Sequence, residues 1–134
     1  MISHHAALVY TMVLVSAADN DMSDRELRVM GELVSFLPVF EDFDKELLGS
    51  AASACAELLD KESGLEDALA LIRGALPEKL RETAYALACD VAAADGAAGQ
   101  EELRMLELIR HRLEVDRLHA AAIERGSRAR YARP

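Results

Sequence analysis

Tryptophan is missing from this chain, and tyrosine and phenylalanine occur only three times each in 134 residues. Proline (3) and glycine (7) are also scarce, and β-branched runs are short. A sandwich or barrel is assembled from many β-branched and aromatic strand segments with frequent turns between them. The shortage of both excludes that class. Cysteine is nearly absent too: Cys55 and Cys89 are far apart, with no CxxC spacing, inside apolar helical runs. That favours two buried free thiols, with a disulfide or metal pair as the lesser alternative. No glycine-rich phosphate loop, HExxH, GxSxG or Cys–His pairing occurs, so the expectation is a protein that is not an enzyme.

Positive charge is the next shortage. Fifteen Lys/Arg face 24 Asp/Glu, for a formal charge of −9. The imbalance is concentrated: the first 100 residues hold 7 Lys/Arg against 18 Asp/Glu, and the last 34 hold 8 against 6. Such a body repels nucleic acid and anionic membrane and suits cations or a basic protein surface. The terminal Arg125, Arg128, Arg130 and Arg133 read as a frayed basic tail complementing a helix C-terminus, with contact to an anionic surface as the lesser alternative. No apolar run is long enough to span a bilayer of ~30 Å. Ala6–Ala18 is the closest approach, and Met1–His5 before it lacks the Lys or Arg of a signal peptide. The expectation is a cytoplasmic, not membrane-spanning chain.

What the chain does have is alanine and leucine at helical spacing, with 51% of residues hydrophobic; the fold class is all-α. It also has an internal echo. Ala17-Ala18-Asp19-Asn20-Asp21-Met22-Ser23-Asp24-Arg25-Glu26-Leu27-Arg28 reappears 76 residues later as Ala93-Ala94-Asp95-Gly96-Ala97-Ala98-Gly99-Gln100-Glu101-Glu102-Leu103-Arg104. Ala-Asp falls on Ala-Asp and Glu-Leu-Arg on Glu-Leu-Arg. In each copy an apolar helix ends at the Asp and another opens at the Glu.

The first helix, about His4–Ala18, has almost no polar face and is buried all round. Asp19-Asn20-Asp21 stops it. Ser23 and Glu26 form a capping box, and Leu27, Met30, Leu33, Val34 and Leu37 make the inward stripe of the second helix, which Pro38 ends. Phe36, Val39, Phe40 and Phe43 form an apolar corner. A third helix runs from about Asp42 or Asp44 to Lys61. Ser63 and Glu66 suggest another capping box for a fourth, and Pro77 opens a fifth that ends at Asp95-Gly96. The sixth helix carries the stripe Leu103, Leu106, Ile109 and Leu113. The seventh spans about Val115–Arg125, with fraying beyond Gly126.

This gives a single domain over 1–134: repeat one at about 4–61, a linking helix at about 64–76, repeat two at about 77–125, and a basic tail at 126–134. Two helix–acidic turn–helix hairpins, folded on one another about a pseudo-twofold axis, would bury both stripes.

The Ala-Asp-Gly turn followed by Glu-Glu-Leu, with its duplicate in register, resembles the tellurite-resistance TerB family, whose helical domain also occurs in membrane-anchored DnaJ-like co-chaperones. The second copy is the closer match, through Leu76-Pro77-Glu78-Lys79-Leu80-Arg81, Ala92-Ala93-Ala94-Asp95-Gly96 and Glu101-Glu102-Leu103. The resemblance implies about seven helices with internal pseudo-symmetry and a link to chemical stress. It also implies a divalent cation at the acidic turns, on Asp19 and Glu26 in the first and Asp95 and Glu102 in the second. The first turn has Asn20 where glycine is typical; the second, with Ala97, Ala98 and Gly99, supplies fewer oxygens.

Read from the residues themselves, Asp19, Asn20, Asp21, Asp24 and Glu26 are the densest set of oxygen donors, which suits Ca²⁺ or Mg²⁺. The spacing is not that of an EF-hand: counting from Asp19, the sixth position is Asp24 and the twelfth Met30. Candidate metal ligands are therefore Asp19, Asp21, Glu26, Asp95 and Glu102, and plain helix capping by the same residues is the competing reading. Asp90 on the fifth helix points to solvent or adds a carboxylate. His4, His5, His111 and His119 lack partners at ligand spacing.

The function expected is a non-enzymatic TerB-like interaction module in a tellurite or chemical stress response. It binds other proteins through an acidic surface, not nucleic acid, with a divalent cation as its one expected cofactor, as a monomer or homodimer. The alternative is a metal-assisted hydrolase using the paired acidic turns.

Overall fold

In the computed structural model, which describes residues 1–20, 22–96 and 98–134, seven α-helices and three single 3-10 turns account for all regular structure among the described residues. The helices are α1 (His4–Ala17), α2 (Asp24–Phe36), α3 (Leu48–Leu59), α4 (Gly64–Ala75), α5 (Arg81–Ala93), α6 (Gln100–Arg112) and α7 (Arg117–Arg130). The all-α expectation of about seven helices holds. The 76-residue offset carries α2 onto α6 end for end.

The central element is α1, buried from Ala7 to Ser16. It packs along α5, and the two form the spine. Around α1 lie α3, α4 and α6; around α5 lie α7, α6 and α2. Small residues let the spine close up: Ala7, Ala84 and Ala88 are fully buried, and dense packing there supplies much of the dispersion energy of the core.

The stripes differ from expectation by one residue. Leu27 and Leu103, placed inward by the sequence, are 48% and 54% exposed, while Glu26 and Glu102 are 2% and 5% exposed. Each helix turns its first inward position over to a carboxylate, and the apolar face resumes at Val29 and Met30, and at Leu106 and Ile109. The aromatic corner forms around Phe40 and Phe43, with His5 as its third ring; Phe36 is turned out at 83% exposure.

Two further boundaries shift and one expected cap is replaced. A 3-10 turn at Lys45–Leu47 precedes α3. Ser63 donates to Asp67 in place of a capping box, because Glu66 is drawn away to Arg112. Finally, α7 continues to Arg130 where a frayed tail was expected, for reasons that lie with Asp90.

Candidate functional site

The two acidic turns meet. Ser23, the N-cap of α2, accepts from the Glu26 amide, and its backbone N–H donates to Glu26 Oε1 at 2.9 Å. This capping box is complete. The Ser23 hydroxyl also donates to Asp95 Oδ2 at 2.9 Å, tying the first turn to the second. In α6 the glycine cap leaves half a box: the Gly99 N–H donates to Glu102 Oε1 at 3.2 Å. The backbone bends at matching points, with Asn20 at φ 61° and Gly96 at φ 99°, the left-handed conformation that asparagine tolerates and glycine favours.

Glu26 and Glu102 face one another in the interior. Glu26 has a third partner, the buried Ser16 hydroxyl on α1 at 3.2 Å. The other oxygen of Glu102, Oε2, is sealed from solvent without a hydrogen-bond donor. Two carboxylates cannot bond each other unless a proton is shared between them, and the Glu102 carboxyl is the one pushed up. Burial first, and then the hydrogen bond and charge of Glu26 with a smaller push from Asp19, raise it to about 8 against a partial offset by the Gly99 amide.

Of the five candidate ligands, the fold gathers Glu26 and Glu102 in direct opposition, Asp19 within electrostatic reach of Glu102, and Asp95 on Ser23 at the same end. Asp21 lies outside the described residues. Among the described residues, no group of three or more His, Cys, Asp or Glu side chains is close enough to form a metal cage. The donor set is thus two buried carboxylates with an orphan oxygen and two exposed aspartates nearby. Hard-cation chemistry fits these oxygens.

Sequence reading missed two members. Ser16 is the lone hydroxyl near the C-terminal end of an otherwise apolar helix, and that isolation was its only signal. Asp90, expected in solvent, is 5% exposed. It accepts from Ser127 and pairs with Arg130, while Arg133 donates to the Ala94 carbonyl at 2.7 Å. Two arginines of the basic tail, Arg130 and Arg133, cover the C-terminal end of α5, one residue short of Asp95. Cys55 and Cys89 are free and buried, and burial pushes both thiols up to about 12; neither is a nucleophile at neutral pH. No described helix is long and apolar enough to cross a membrane.

A protein-family model described as "Tellurite resistance protein TerB" matches residues 5–125, nearly the whole chain. No curated protein sequence and no solved structure gives a match.

Proposed function

The chain belongs to the TerB family, and from that premise we propose that it is a non-enzymatic interaction module of a tellurite or chemical stress response, steadied by one divalent cation held between its two acidic turns. The observation that carries this reading is the Glu26–Glu102 pair. Two carboxyls facing each other in the interior, one with an oxygen that has no donor, are unfavourable unless a proton or a cation sits between them. Glu26 and Glu102 would supply the buried oxygens, with Asp19 and Asp95 adding charge at the rim. The cation's contribution would be structural: it replaces the shared proton, cancels the repulsion and locks the α1–α2 turn to the α5–α6 turn. A locked, acidic end of a −9 chain suits a basic partner surface.

Thermal melts in EDTA and in Ca²⁺, Mg²⁺ or Mn²⁺ test it. A ligand at 100 times its Kd stabilises the folded state by about 2.7 kcal/mol, a rise of several degrees for a domain of this size. That rise should vanish in Glu102→Gln. If no ion moves the melt, or Glu102→Gln responds like the unaltered chain, the cation site is wrong and a bare interaction domain is left.

A further inference from the structure

A groove between α5, α6 and α7 gives the molecule a second face, built on different residues. Its floor is one side of α5, where Tyr85, Cys89, Ala92 and Ala93 succeed one another at helical spacing, and its volume is about 540 Å³. The contacts of α7 fix the order along the walls. Glu124 accepts from Tyr85 near the start of α5, and Ser127 donates to Asp90 nearer its end, so α7 advances alongside α5. α6 returns from the Gly96 turn in the opposite direction, with Leu103 nearest the turn and Arg110 farthest from it. The Tyr85 end of the groove therefore has Arg110 on the α6 wall and Glu124 on the α7 wall. The Gly96 end has Leu103 and Glu107 on one wall and Arg128 on the other.

Two properties of this face suit a second copy of the same chain. The first is charge. An isologous contact sets one patch against itself, so a patch of a single sign repels its copy. Residues 1–100 carry 7 Lys/Arg against 18 Asp/Glu, which disfavours contact through that part of the surface. Both groove walls come from the last 34 residues, with 8 against 6, and the charged residues lining the groove, Glu107, Arg110, Glu124 and Arg128, sum to zero. Their placement matters more than their sum. Opposite charges stand on opposite walls, and among the described residues no ion pair within one copy joins them. A twofold axis along the groove exchanges the walls and lays α6 of one copy on α7 of the other at the same level. That brings Arg110 to Glu124 and Glu107 to Arg128, twice each. The second property is an apolar side chain at the rim. Leu103 is 54% exposed beside a floor of Ala92 and Ala93, so a leucine to insert and small residues to receive it share one patch, as self-association requires. We propose that the chain forms a twofold-symmetric homodimer through the α5–α6–α7 groove, with Leu103 of each copy on the alanine floor of the other and the Arg110–Glu124 and Glu107–Arg128 pairs closing the rim. This contact uses none of Asp19, Glu26, Asp95 or Glu102 and stands or falls apart from the cation site.

The test is sedimentation equilibrium of the full chain from micromolar to millimolar concentration, run in EDTA so that no cation contributes. The mass should rise toward twice the 14.6 kDa of one chain, and the amide NMR shifts that change on dilution should lie on α5, α6 and α7. Leu103→Glu should weaken the dimer about tenfold or more, as loss of a central apolar anchor does. Glu107→Arg and Arg128→Glu should each weaken it about tenfold, because each sets like charges together on both sides of the axis. The double variant Glu107→Arg/Arg128→Glu should restore it. All three residues are exposed, so the variants should fold, with helical circular dichroism as the check. A chain that stays monomeric at millimolar concentration overturns the proposal. So does a dimer that Leu103→Glu leaves intact, a charge swap that restores nothing, or dilution shifts confined to another face such as the Phe36 corner.

Discussion

Two glycines matter for different physical reasons, and only one of those reasons is visible in the sequence. Gly64 opens α4 where its backbone crosses the end of α3: a Cβ there would lie 2.1 Å from the Leu58 carbonyl oxygen and 2.8 Å from the Leu59 Cα. Those are backbone atoms, so they cannot swing aside, and the helices would have to separate. Gly64→Ala should therefore cost about 2–3 kcal/mol, the upper range for overpacking, read as a lower urea midpoint at unchanged slope. Gly96 has open space around it but a φ of +99°, so its penalty is conformational. Gly96→Ala should cost about 1 kcal/mol. Gly96→Asn should cost less than Gly96→Ala, since Asn20 holds the left-handed conformation at the matching turn. Dipeptides such as Asp-Gly announce the second kind of glycine from sequence. The first kind depends on which backbone passes nearby, and only the folded chain shows that.

Helix positions and their start signals were legible because periodicity and capping are local. Ser23 with Glu26 marked the start of α2, and the 76-residue echo placed α6. The direction of each helix face was not legible. A stripe beginning at Leu27 or at Glu26 fits the same period, and hydrophobicity favours the leucine; the carboxylates win because each closes its own helix's first turn and then meets the other across the interior. Asp90 was misread for a related reason. A charge on an apolar helix is assigned to solvent unless a partner is known, and its partners Ser127 and Arg130 lie 37 and 40 residues away on α7. That arrangement makes the last helix a clamp. Ending the chain at Gly126 would remove both partners of a carboxylate that is 5% exposed, together with the Arg133 bond to Ala94. The truncation should destabilise by about 3 kcal/mol, whereas Arg130→Ala alone should cost about 1 kcal/mol, because that guanidinium is half exposed and its attraction is screened. Asp90→Ala in the truncated chain should recover part of the loss, since removing a stranded charge is cheaper than keeping it. Urea titrations of the four chains check this. If the truncated chain matches the full one, α7 is not a clamp.

For the molecule as a whole, the opposed glutamates tie fold stability to pH and cations together. Glu102 has its proton affinity raised from 4.5 to about 8 on folding. A raised acid means the folded state binds more protons than the unfolded one, so this contribution to stability is complete below about 4.5 and is lost as pH climbs through 8. In EDTA, the melting temperature should therefore fall between pH 5 and pH 9, after any slope from other groups is measured in a control. Glu102→Gln is that control: its amide can donate to Glu26 as the protonated acid does, and it cannot ionise. It should match the unaltered chain near pH 5 and melt higher than it at pH 9. Above pH 8, where the unaltered chain has lost its proton, a divalent cation should restore several degrees to it and none to Glu102→Gln. The two outcomes separate cleanly. A pH slope without a cation response means that a proton alone serves the pair. Parallel melting curves for the two chains across the whole range would mean that the carboxyls do not oppose each other in the folded protein, and the cation site would fall with them.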